Sequence, residues 1–128
     1  MENNITIKKV LLLESDFKRI SNVVYDDNVI SEVSVEVEIS EPENRIVNVI
    51  ETITLVQKYQ EKEQVSIKVK MLGVFECEKW EHSEEFGKIN GASIIYPYIR
   101  EHITGLSTKA GINAIVLPPV NFANSVKQ

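Results

Sequence analysis

The sequence predicts an α+β fold: a four-stranded antiparallel sheet with a long crossing connection after its first strand, then a long C-terminal helix and an extended Pro-Pro strap. Two observations predict this fold. Runs of Val, Ile and Thr that alternate with polar residues fill the first part of the chain and are separated by turn-forming residues. Helical spacing of apolar residues appears only after the last of these runs. A length of 128 residues predicts one domain, residues 1–128.

The first strand is predicted from Ile5 to Leu13, where apolar side chains point to both faces and therefore predict protein on both sides. The stretch from Glu14 to Ile30 has no sustained period. We interpret it as the crossing connection, with Phe17 and Tyr25 as anchors. Connections of this length without regular structure are uncommon and often functional.

The second and third strands form a predicted hairpin. Alternation is clearest from Ser31 onward, where one face is apolar and the other polar. The apolar positions are Val33, Val35, Val37 and Ile39. The stretch from Glu41 to Asn44 has turn-forming residues, and a long strand follows from Ile46 to Tyr59.

The fourth strand is predicted after a second polar interruption at residues 60–64. Its apolar face consists of Val65, Ile67, Val69 and Met71. Gly73 interrupts the alternation, which predicts a bulge or bend before the strand ends near Glu78. Residues 81–88 are predicted to be a polar link, with Asn90 and Gly91 at the entry to the helix.

The C-terminal helix is predicted between Ile94 and Ser107, with a kink at Pro97 and with Gly111 as the left-handed residue that ends it. Two consecutive prolines, which cannot donate backbone hydrogen bonds, predict an extended strap over residues 114–121. Residues 121–128 could form one or two helical turns capped by Asn121 or Asn124.

Composition and charge limit the possible functions. A net charge of -5 argues against nucleic acid as the main partner. The apolar run from Val10 to Leu13 is too short for a signal peptide or a membrane-inserted segment, so we expect a cytoplasmic protein. A single cysteine, Cys77, excludes an internal disulfide and fits a reducing compartment.

Few residues could carry chemistry. Cys77 and His82 could form a metal pair or a nucleophile and base, but their spacing fits no zinc pattern and no further ligand is evident. No glycine-rich phosphate loop or catalytic serine motif is present. We therefore expect neither an enzyme nor a cofactor or metal, and keep a small-ligand or enzymatic domain using Cys77 and His82 as the remaining alternative.

Two features of the helix have more than one interpretation. Arg100 and Glu101 could form a buried ion pair, contact a partner, or be an exposed helix pair. Tyr96, Tyr98 and Phe122 could be core residues or part of an assembly interface.

Four apolar strand faces with one substantial helix leave more apolar surface than one chain can cover, which predicts a binding site or an oligomer interface.

Two blocks of sequence in the C-terminal part resemble a known family. The segment YPYIREHITGLSTKAG and, after a short gap, LPPVNF look like the C-terminal signature of the SecB family of export chaperones. That signature is an aromatic-Pro-Tyr-x-Arg-Glu helix, a turn ending in Gly, and a Leu-x-Pro-Val-Asn-Phe segment. Two matched blocks in the same order are more specific than either block alone.

The resemblance implies an ATP-independent holdase whose clients are unfolded preproteins or nascent chains, assembled as a homotetramer that is a dimer of dimers. The implied oligomer interface is Val65, Ile67, Val69, Met71, Tyr98, Ile99 and His102. The implied client-binding positions, along the second strand and the crossing connection, are Tyr25, Val29, Val33, Val35, Val37 and Ile39.

Two departures from the family pattern affect the expected partners. The acidic face that docks the SecA motor in the family maps onto Glu14, Lys18, Ser66 and Lys68, of which only Glu14 is acidic. The sequence also ends at Gln128, where the family continues into a second helix and an acidic tail. We therefore expect weakened SecA docking, and as the alternative function a dedicated chaperone of one partner, such as an antitoxin.

Overall fold

The computed structural model describes residues 4–123, which form a four-stranded sheet followed by a long helical segment. The strands are β1 (Thr6–Arg19), β2 (Ile30–Ile39), β3 (Ile46–Tyr59) and β4 (Lys62–Glu76). The helical segment comprises α1 (Ser83–Phe86), a π-helical turn (Gly87–Gly91) and α2 (Ala92–Lys109). All pairings are antiparallel and the strand order is β1-β4-β3-β2, so the predicted α+β class is confirmed.

A two-residue turn joins β3 to β4, and residues 40–45, which end in a turn of the same kind, join β2 to β3. Asn44 and Arg45 have φ values of 53° and 69°, and Gln60 and Glu61 have φ values of 53° and 66°. Two consecutive residues with positive φ are typical of the type I′ turn, whose twist matches that of the flanking strands. The predicted bounds of the third strand, Ile46 to Tyr59, are confirmed.

The first strand is longer than predicted. It continues to Arg19, and Phe17 lies opposite Ile67 of β4 in the ladder. The crossing connection is therefore residues 20–29 and not the whole of Glu14 to Ile30. It does cross the molecule, because β1 and β2 are the two opposite edges of the sheet.

The bulge expected at Gly73 is wrong. Gly73 stays in register opposite both Val10 and Val49. The register shifts lie elsewhere, between Ile7 and Lys9 and between Leu12 and Glu14 in the β1 ladder, and between Gln57 and Lys58 in the β3–β4 ladder. A Cβ atom on Gly73 would lie 2.8 Å from Ile95 Cδ1 of α2. Glycine at this position therefore allows the helix to pack close to the sheet.

The polar link expected over residues 81–88 is also wrong, because the chain is helical from Ser83 onward. The segment approaches the sheet closely at the π-helical turn, where a Cβ atom on Gly87 would lie 2.5 Å from Ile39 Cγ1. Helix α2 continues through Pro97.

Helix α2 ends in a Schellman motif. The amide of Gly111 donates to the carbonyl of Thr108 (3.1 Å), and the amide of Ile112 donates to the carbonyl of Ser107 (3.2 Å). Gly111 has φ 74°, as the sequence predicts. The chain then runs without helix or turn to Asn121, which confirms the strap.

At the end of the described chain, Asn121 Oδ1 accepts the amide of Ala123 at 3.1 Å. The remainder of the predicted terminal helical turns, with Asn124, lies outside the described residues.

The core lies between α2 and one face of the sheet. Side chains from alternate positions of β3 and β4 meet the apolar stripe of α2, and the strap adds Ile115, Leu117 and Phe122 at its margin. The apolar residues with no exposed surface are Val47, Val49, Ile53, Val65, Ile67, Val69, Phe75, Ala92, Ile95, Ile99 and Ile103. Within residues 4–123, no helix combines the length and apolarity needed to cross a bilayer.

Candidate functional site

A groove with a volume of about 520 Å³ lies at one end of the sheet. Four segments form it: the crossing connection, the start of β2, the end of β3 and the strap. Its apolar walls come from Val24, Tyr25, Val29, Val33, Leu55, Ala114, Ile115, Val116, Leu117 and Pro118. Within residues 4–123, the charged residues of its lining are Asp26 and Asp27, with no lysine or arginine.

The wall contributed by the crossing connection is held by Gln64 of β4. The Val24 amide donates to Gln64 Oε1 at 3.0 Å, and Gln64 Nε2 donates to the Val24 carbonyl at 2.9 Å. Gln64 is only 3% exposed, so this pairing is shielded from water. Asp26 Oδ1 accepts the Asn28 amide at 2.8 Å, which shapes the turn before β2.

The opposite wall, the strap, is held by side chains of α2. The Ile115 amide donates to Ser107 Oγ at 3.0 Å, and the Ile115 carbonyl accepts the hydroxyl of Thr104 at 2.7 Å. The hydroxyl of Tyr96 donates to the carbonyl of Pro118. Both walls of the groove are therefore fixed by hydrogen bonds to buried or half-buried polar side chains.

The client-binding positions implied by the resemblance fall into two groups. Tyr25, Val29 and Val33 line the groove, and Tyr25 and Val33 are 50% and 45% exposed. Val35, Val37 and Ile39 lie further along β2, half-buried against the core and outside the groove. The structure brings the first group together, while the binding role of all six positions stays a prediction.

The implied interface positions are mostly inside the chain. Val65, Ile67, Val69 and Ile99 are fully buried, and Met71 is 8% exposed. Contact with another chain through these five side chains would require α2 to separate from the sheet. Two implied positions are accessible, however.

Tyr98 is 49% exposed, and half-buried His102 shares a 2.8 Å hydrogen bond with Ser15 of β1. The neighbouring β1 residues Leu11, Leu12 and Leu13 are also nearly half exposed, at 44%, 48% and 48%. Leu12 lies opposite buried Met71 and therefore points to the α2 side of the sheet, whereas Leu11 lies opposite Leu72 and points to the other side. The accessible region of β1 and α2 thus consists of Leu12, Tyr98 and His102. The assignment of all seven implied interface positions stays a prediction.

The one acidic residue retained at the positions that correspond to the SecA-docking face is partly neutralised. Glu14 lies 3.8 Å from Lys68 Nζ, and both side chains are more than 40% exposed. An exposed pair at this distance contributes little stability, but it places a positive charge beside the carboxylate. SecA docking through Glu14 stays a prediction.

Glu51 of β3 is a buried carboxylate that our sequence analysis missed. It is fully buried between Val37 and Met71 in the ladders, and neither carboxylate oxygen has a hydrogen-bond partner among the described residues. Burial raises the pKa of Glu51 from 4.5 to about 8. Period two could have revealed it, because Glu51 occupies the same face as Val49 and Ile53.

Tyr96 and Arg100 lie one turn apart on α2, and Tyr96 is close enough to Glu51 for that carboxyl to affect its pKa. The guanidinium carbon of Arg100 is 5.9 Å from the centroid of the Tyr96 ring, and its buried Nε has no hydrogen-bond partner among residues 4–123. Burial is the main cause that raises the pKa of Tyr96, and Arg100 opposes it. Among residues 4–123 no ion pair joins Arg100 to Glu101, so the buried-pair interpretation is wrong.

Cys77 and His82 line one surface depression but do not form a reactive pair. The thiol of Cys77 is buried and donates to the Lys79 carbonyl at 3.4 Å. His82 is exposed at the start of α1. In the described part of the chain, no three His, Cys, Asp or Glu side chains are grouped to hold a metal ion.

Comparisons with known proteins agree with this architecture. Residues 7–128 match the family model described as preprotein translocase subunit SecB. An uncharacterized protein of Methanocaldococcus jannaschii is 30% identical over 104 residues, which cover 77% of this chain and 66% of that protein. The protein-export protein SecB of Alkalilimnicola ehrlichii is 34% identical over 73 residues, which cover 56% of this chain and 39% of that protein.

The chain thus spans less than two thirds of the length of either relative. Among solved structures, a SecB-like chaperone of Mycobacterium tuberculosis, in complex with a peptide from an antitoxin, has a similar fold. Its TM-score is 0.80 at 15% identity, over 91% of each chain. This likeness shows a shared fold.

Proposed function

Since this chain belongs to the SecB family, we propose that it is an ATP-independent molecular chaperone that holds unfolded or nascent polypeptides. The observation that carries the proposal is the groove with apolar walls, open between the strap and the crossing connection. Such a groove binds by burying apolar side chains, at about 25 cal/mol per Å². It does not require one particular sequence, so many unfolded chains would bind.

The groove is suited to binding and release without chemistry. Among the described residues, its lining carries two carboxylates, amides, one serine and one tyrosine, but no histidine, cysteine or lysine. Its walls are held by hydrogen bonds within the chain, so little ordering of the protein accompanies binding. These features favour a holdase over a catalyst.

Suppression of aggregation of a chemically denatured test protein, without nucleotide, would test this function. The wild-type chain should suppress light scattering near equimolar ratio. Val33→Asp places an unpaired charge in the groove wall and should reduce suppression by about fivefold or more. Ser34→Asp, on the opposite face of the same strand, is the matched control. No suppression by the wild type, or equal suppression by Val33→Asp, would contradict the proposal.

A second candidate is a dedicated chaperone of one client. It is supported by Lys68, which offsets the charge of Glu14 on the face that would dock SecA. The structurally similar M. tuberculosis chaperone, which was solved with an antitoxin peptide, also supports it. Affinity purification from the native host separates the two: one dominant polypeptide supports a dedicated client, and a broad set of unfolded preproteins supports general export.

We also propose a homotetramer, assembled through the accessible region of β1 and α2. Leu12 and Tyr98 are nearly half exposed there, which is unusual for large apolar side chains in a chain that acts alone. Val69, an interface position implied by the resemblance, is unsuitable for a test because a charge there would disrupt the core.

Native mass spectrometry at micromolar concentration would test the assembly, with Leu12→Asp expected to lower the number of chains per particle. Ser66→Asp, on the other face of the sheet, should leave the assembly unchanged. A monomeric wild type would overturn the tetramer.

A further inference from the structure

We infer that Arg19, at the end of β1, sets the separation between the two walls of the groove and thereby the size of the client side chains that the groove selects. The inference rests on the proposed chaperone function and gives a positioning role to a residue that lies outside the lining of the groove. Its basis is that one guanidinium group bonds the backbone from which each wall extends.

The side chain of Arg19 points to the side of the sheet that carries α2. Arg19 lies opposite Val65 in the ladder with β4, and Val65 belongs to the core between the sheet and the helix. The neighbouring Lys18 lies opposite Ser66 and points to the other side, because side chains alternate along a strand. Of these two adjacent cations, Arg19 is therefore the one directed toward the helix.

The guanidinium group of Arg19 bonds three carbonyls that belong to two segments. Nε donates to the carbonyl of Ile20 at 2.9 Å and Nη2 donates to the carbonyl of Ser21 at 2.7 Å, both at the start of the crossing connection. Nη1 donates to the carbonyl of Ala110, at the C-terminal end of α2. The last carbonyls of a helix have no intrahelical partner and carry the negative end of its dipole, so a cation is favoured there.

Both walls of the groove begin just beyond these bonds. The crossing connection first lines the groove at Val24, three residues after Ser21, and the strap first lines it at Asn113, three residues after Ala110. Further along, the crossing connection is held to β4 through Gln64, whereas the strap is held to α2. Arg19 thus joins the two segments at the point from which they diverge.

Apolar packing restrains this end of α2 less than it restrains the middle. Ile99 and Ile103 are fully buried, whereas Leu106 and Ala110 are only half-buried. Where little apolar surface is buried, hydrogen bonds supply a larger share of the restraint. The three bonds of Arg19 therefore have most influence on the last turn of the helix.

A movement of that last turn would move the strap with it. Ser107 lies in the turn, is fully buried and accepts the Ile115 amide at 3.0 Å. The crossing connection begins with Ile20, which is 48% exposed and so gains little restraint from packing. Loss of the Arg19 bonds therefore frees the end of α2, and the strap attached to it, to move away from the crossing connection.

A fixed separation between the walls selects client side chains by size. The groove has a volume of about 520 Å³, and its walls contact a client chiefly through apolar side chains. Side chains too large for a rigid apolar space force it to distort, whereas side chains of fitting size gain full contact. With the walls held by Arg19, we expect aliphatic segments to be preferred over segments rich in phenylalanine, and we expect this preference to weaken when the walls can spread.

The relative affinity for two peptides tests this role. Both peptides are capped, equal in length and charge, and about ten residues long; one carries valine and the other phenylalanine at its apolar positions. In Arg19→Met, which keeps an apolar stem without the donors, the ratio of valine-peptide affinity to phenylalanine-peptide affinity should fall by about fivefold or more. In Arg19→Lys, which keeps the charge without the planar fork, the ratio should fall by about twofold or more.

The ratio of affinities separates positioning from simple destabilisation. A smaller folded fraction lowers both affinities by the same factor and leaves the ratio unchanged. Lys18→Met is the matched control, because it removes a neighbouring cation on the other side of the sheet and should leave the ratio unchanged. An unaltered ratio in the Arg19 variants that fold, or an equal change in Lys18→Met, overturns the inference.

A distance measured without client tests the separation itself. Spin labels are attached through Asn28→Cys in the crossing connection and Lys109→Cys in the last turn of α2, two exposed positions outside the groove lining, with the buried Cys77 replaced by alanine. Addition of Arg19→Lys should lengthen or broaden the distribution of distances between the labels. An unchanged distribution overturns the inference.

Failure of the inference and failure of the proposed function give different results. A wild-type chain that binds the peptides, with a ratio that the Arg19 variants do not alter, keeps the chaperone function and overturns the role of Arg19. A wild-type chain that binds neither the peptides nor a denatured protein contradicts the proposed function itself.

Discussion

The central strands and the edge strands of the sheet differ sharply in burial. On the helix-facing side of β3 and β4, residues such as Val49 and Ile67 are fully buried. At matching positions of the edge strands, Leu12 and Val33 are 48% and 45% exposed. An α-helix with its side chains is about 10–12 Å wide, and strands are about 4.8 Å apart, so one helix covers about two strands.

The central strands and α2 therefore form the buried body of the fold, while the edge strands leave apolar side chains accessible. The two edge strands differ in the regularity of their pairing and in the residues that they expose. β2 keeps an unbroken register with β3 and borders the groove, whereas β1 has two register shifts and presents three leucines in a row. The proposed client and assembly sites therefore lie at opposite edges of the sheet.

The largest expected effect compares one central and one edge side chain. Ile99→Ala empties space in the core between α2 and the sheet and should lower the free energy of unfolding by about 2–5 kcal/mol. Leu12→Ala removes a side chain that is nearly half exposed and should cost about 1 kcal/mol. Urea denaturation of both variants at low protein concentration measures the difference. Equal losses of unfolding free energy would contradict the division into a buried centre and exposed edges.

The second effect concerns Glu51, the ionisable residue on the buried face of the central strands. Because the pKa of Glu51 is raised to about 8 in the folded chain, the unfolded chain loses this proton first as pH rises from 4.5. The contribution of the neutral Glu51 carboxyl to the free energy of unfolding is fully present below pH 4.5. It decreases as the pH rises, until the pH reaches about 8. At pH 7 the decrease is about 3 kcal/mol, at 1.36 kcal/mol per pH unit.

Glu51→Gln should therefore remove most of this loss, raising the free energy of unfolding at pH 7 by about 3 kcal/mol and flattening its pH dependence. Denaturation at several pH values between 4.5 and 8 measures it. Glu36→Gln, at an exposed position of β2, is the control and should leave the slope unchanged. An unchanged slope in Glu51→Gln would show that Glu51 finds a partner in solution.

The third and smallest effect concerns the link between α2 and the strap. Ser107→Ala removes the acceptor for the Ile115 amide, so a buried donor loses its partner. We expect a loss of about 1–2 kcal/mol and faster exchange of the Ile115 amide. Thr108→Ala, an exposed neighbour whose hydroxyl bonds within its own helix, is the control. Equal effects in both variants would mean that the strap is not held through Ser107.

Much of the sheet could be predicted because apolar and polar residues alternate along a strand that has one buried and one exposed face. Ile46 to Tyr59 was placed correctly, since β-branched residues fill it and turn residues bound it. β1 was cut short because Asp16 and Lys18 hid the alternation around Phe17, whose partner Ile67 is distant in sequence. A local sequence pattern cannot reveal that a residue pairs with a strand distant in the sequence.

The start of the helix and Gly73 were mispredicted for a related reason. Residues 83–91 are mostly polar and contain two glycines, and their packing partners are distant in sequence: Gly87 approaches Ile39, and Phe86 packs against Phe75. Gly73 appeared to break a strand, yet it makes room for Ile95. In the groove, Tyr25, Val29 and Val33 were identified through the family resemblance, whereas the strap wall was missed because its role depends on tertiary contacts.

The strand order also determines the length of the loop that each ladder closes. The β3–β4 ladder begins at a two-residue turn, and the first pair of the β2–β3 ladder, Ile39 with Val49, encloses only residues 40–48, so both ladders close short loops. The β1 ladder closes a loop that contains two whole strands, and loop-closure entropy rises with length. The non-local contacts of the sheet are therefore concentrated in the pairing of β1, its most exposed strand, so in the nascent chain β1 is made first and stays unpaired until β4 follows.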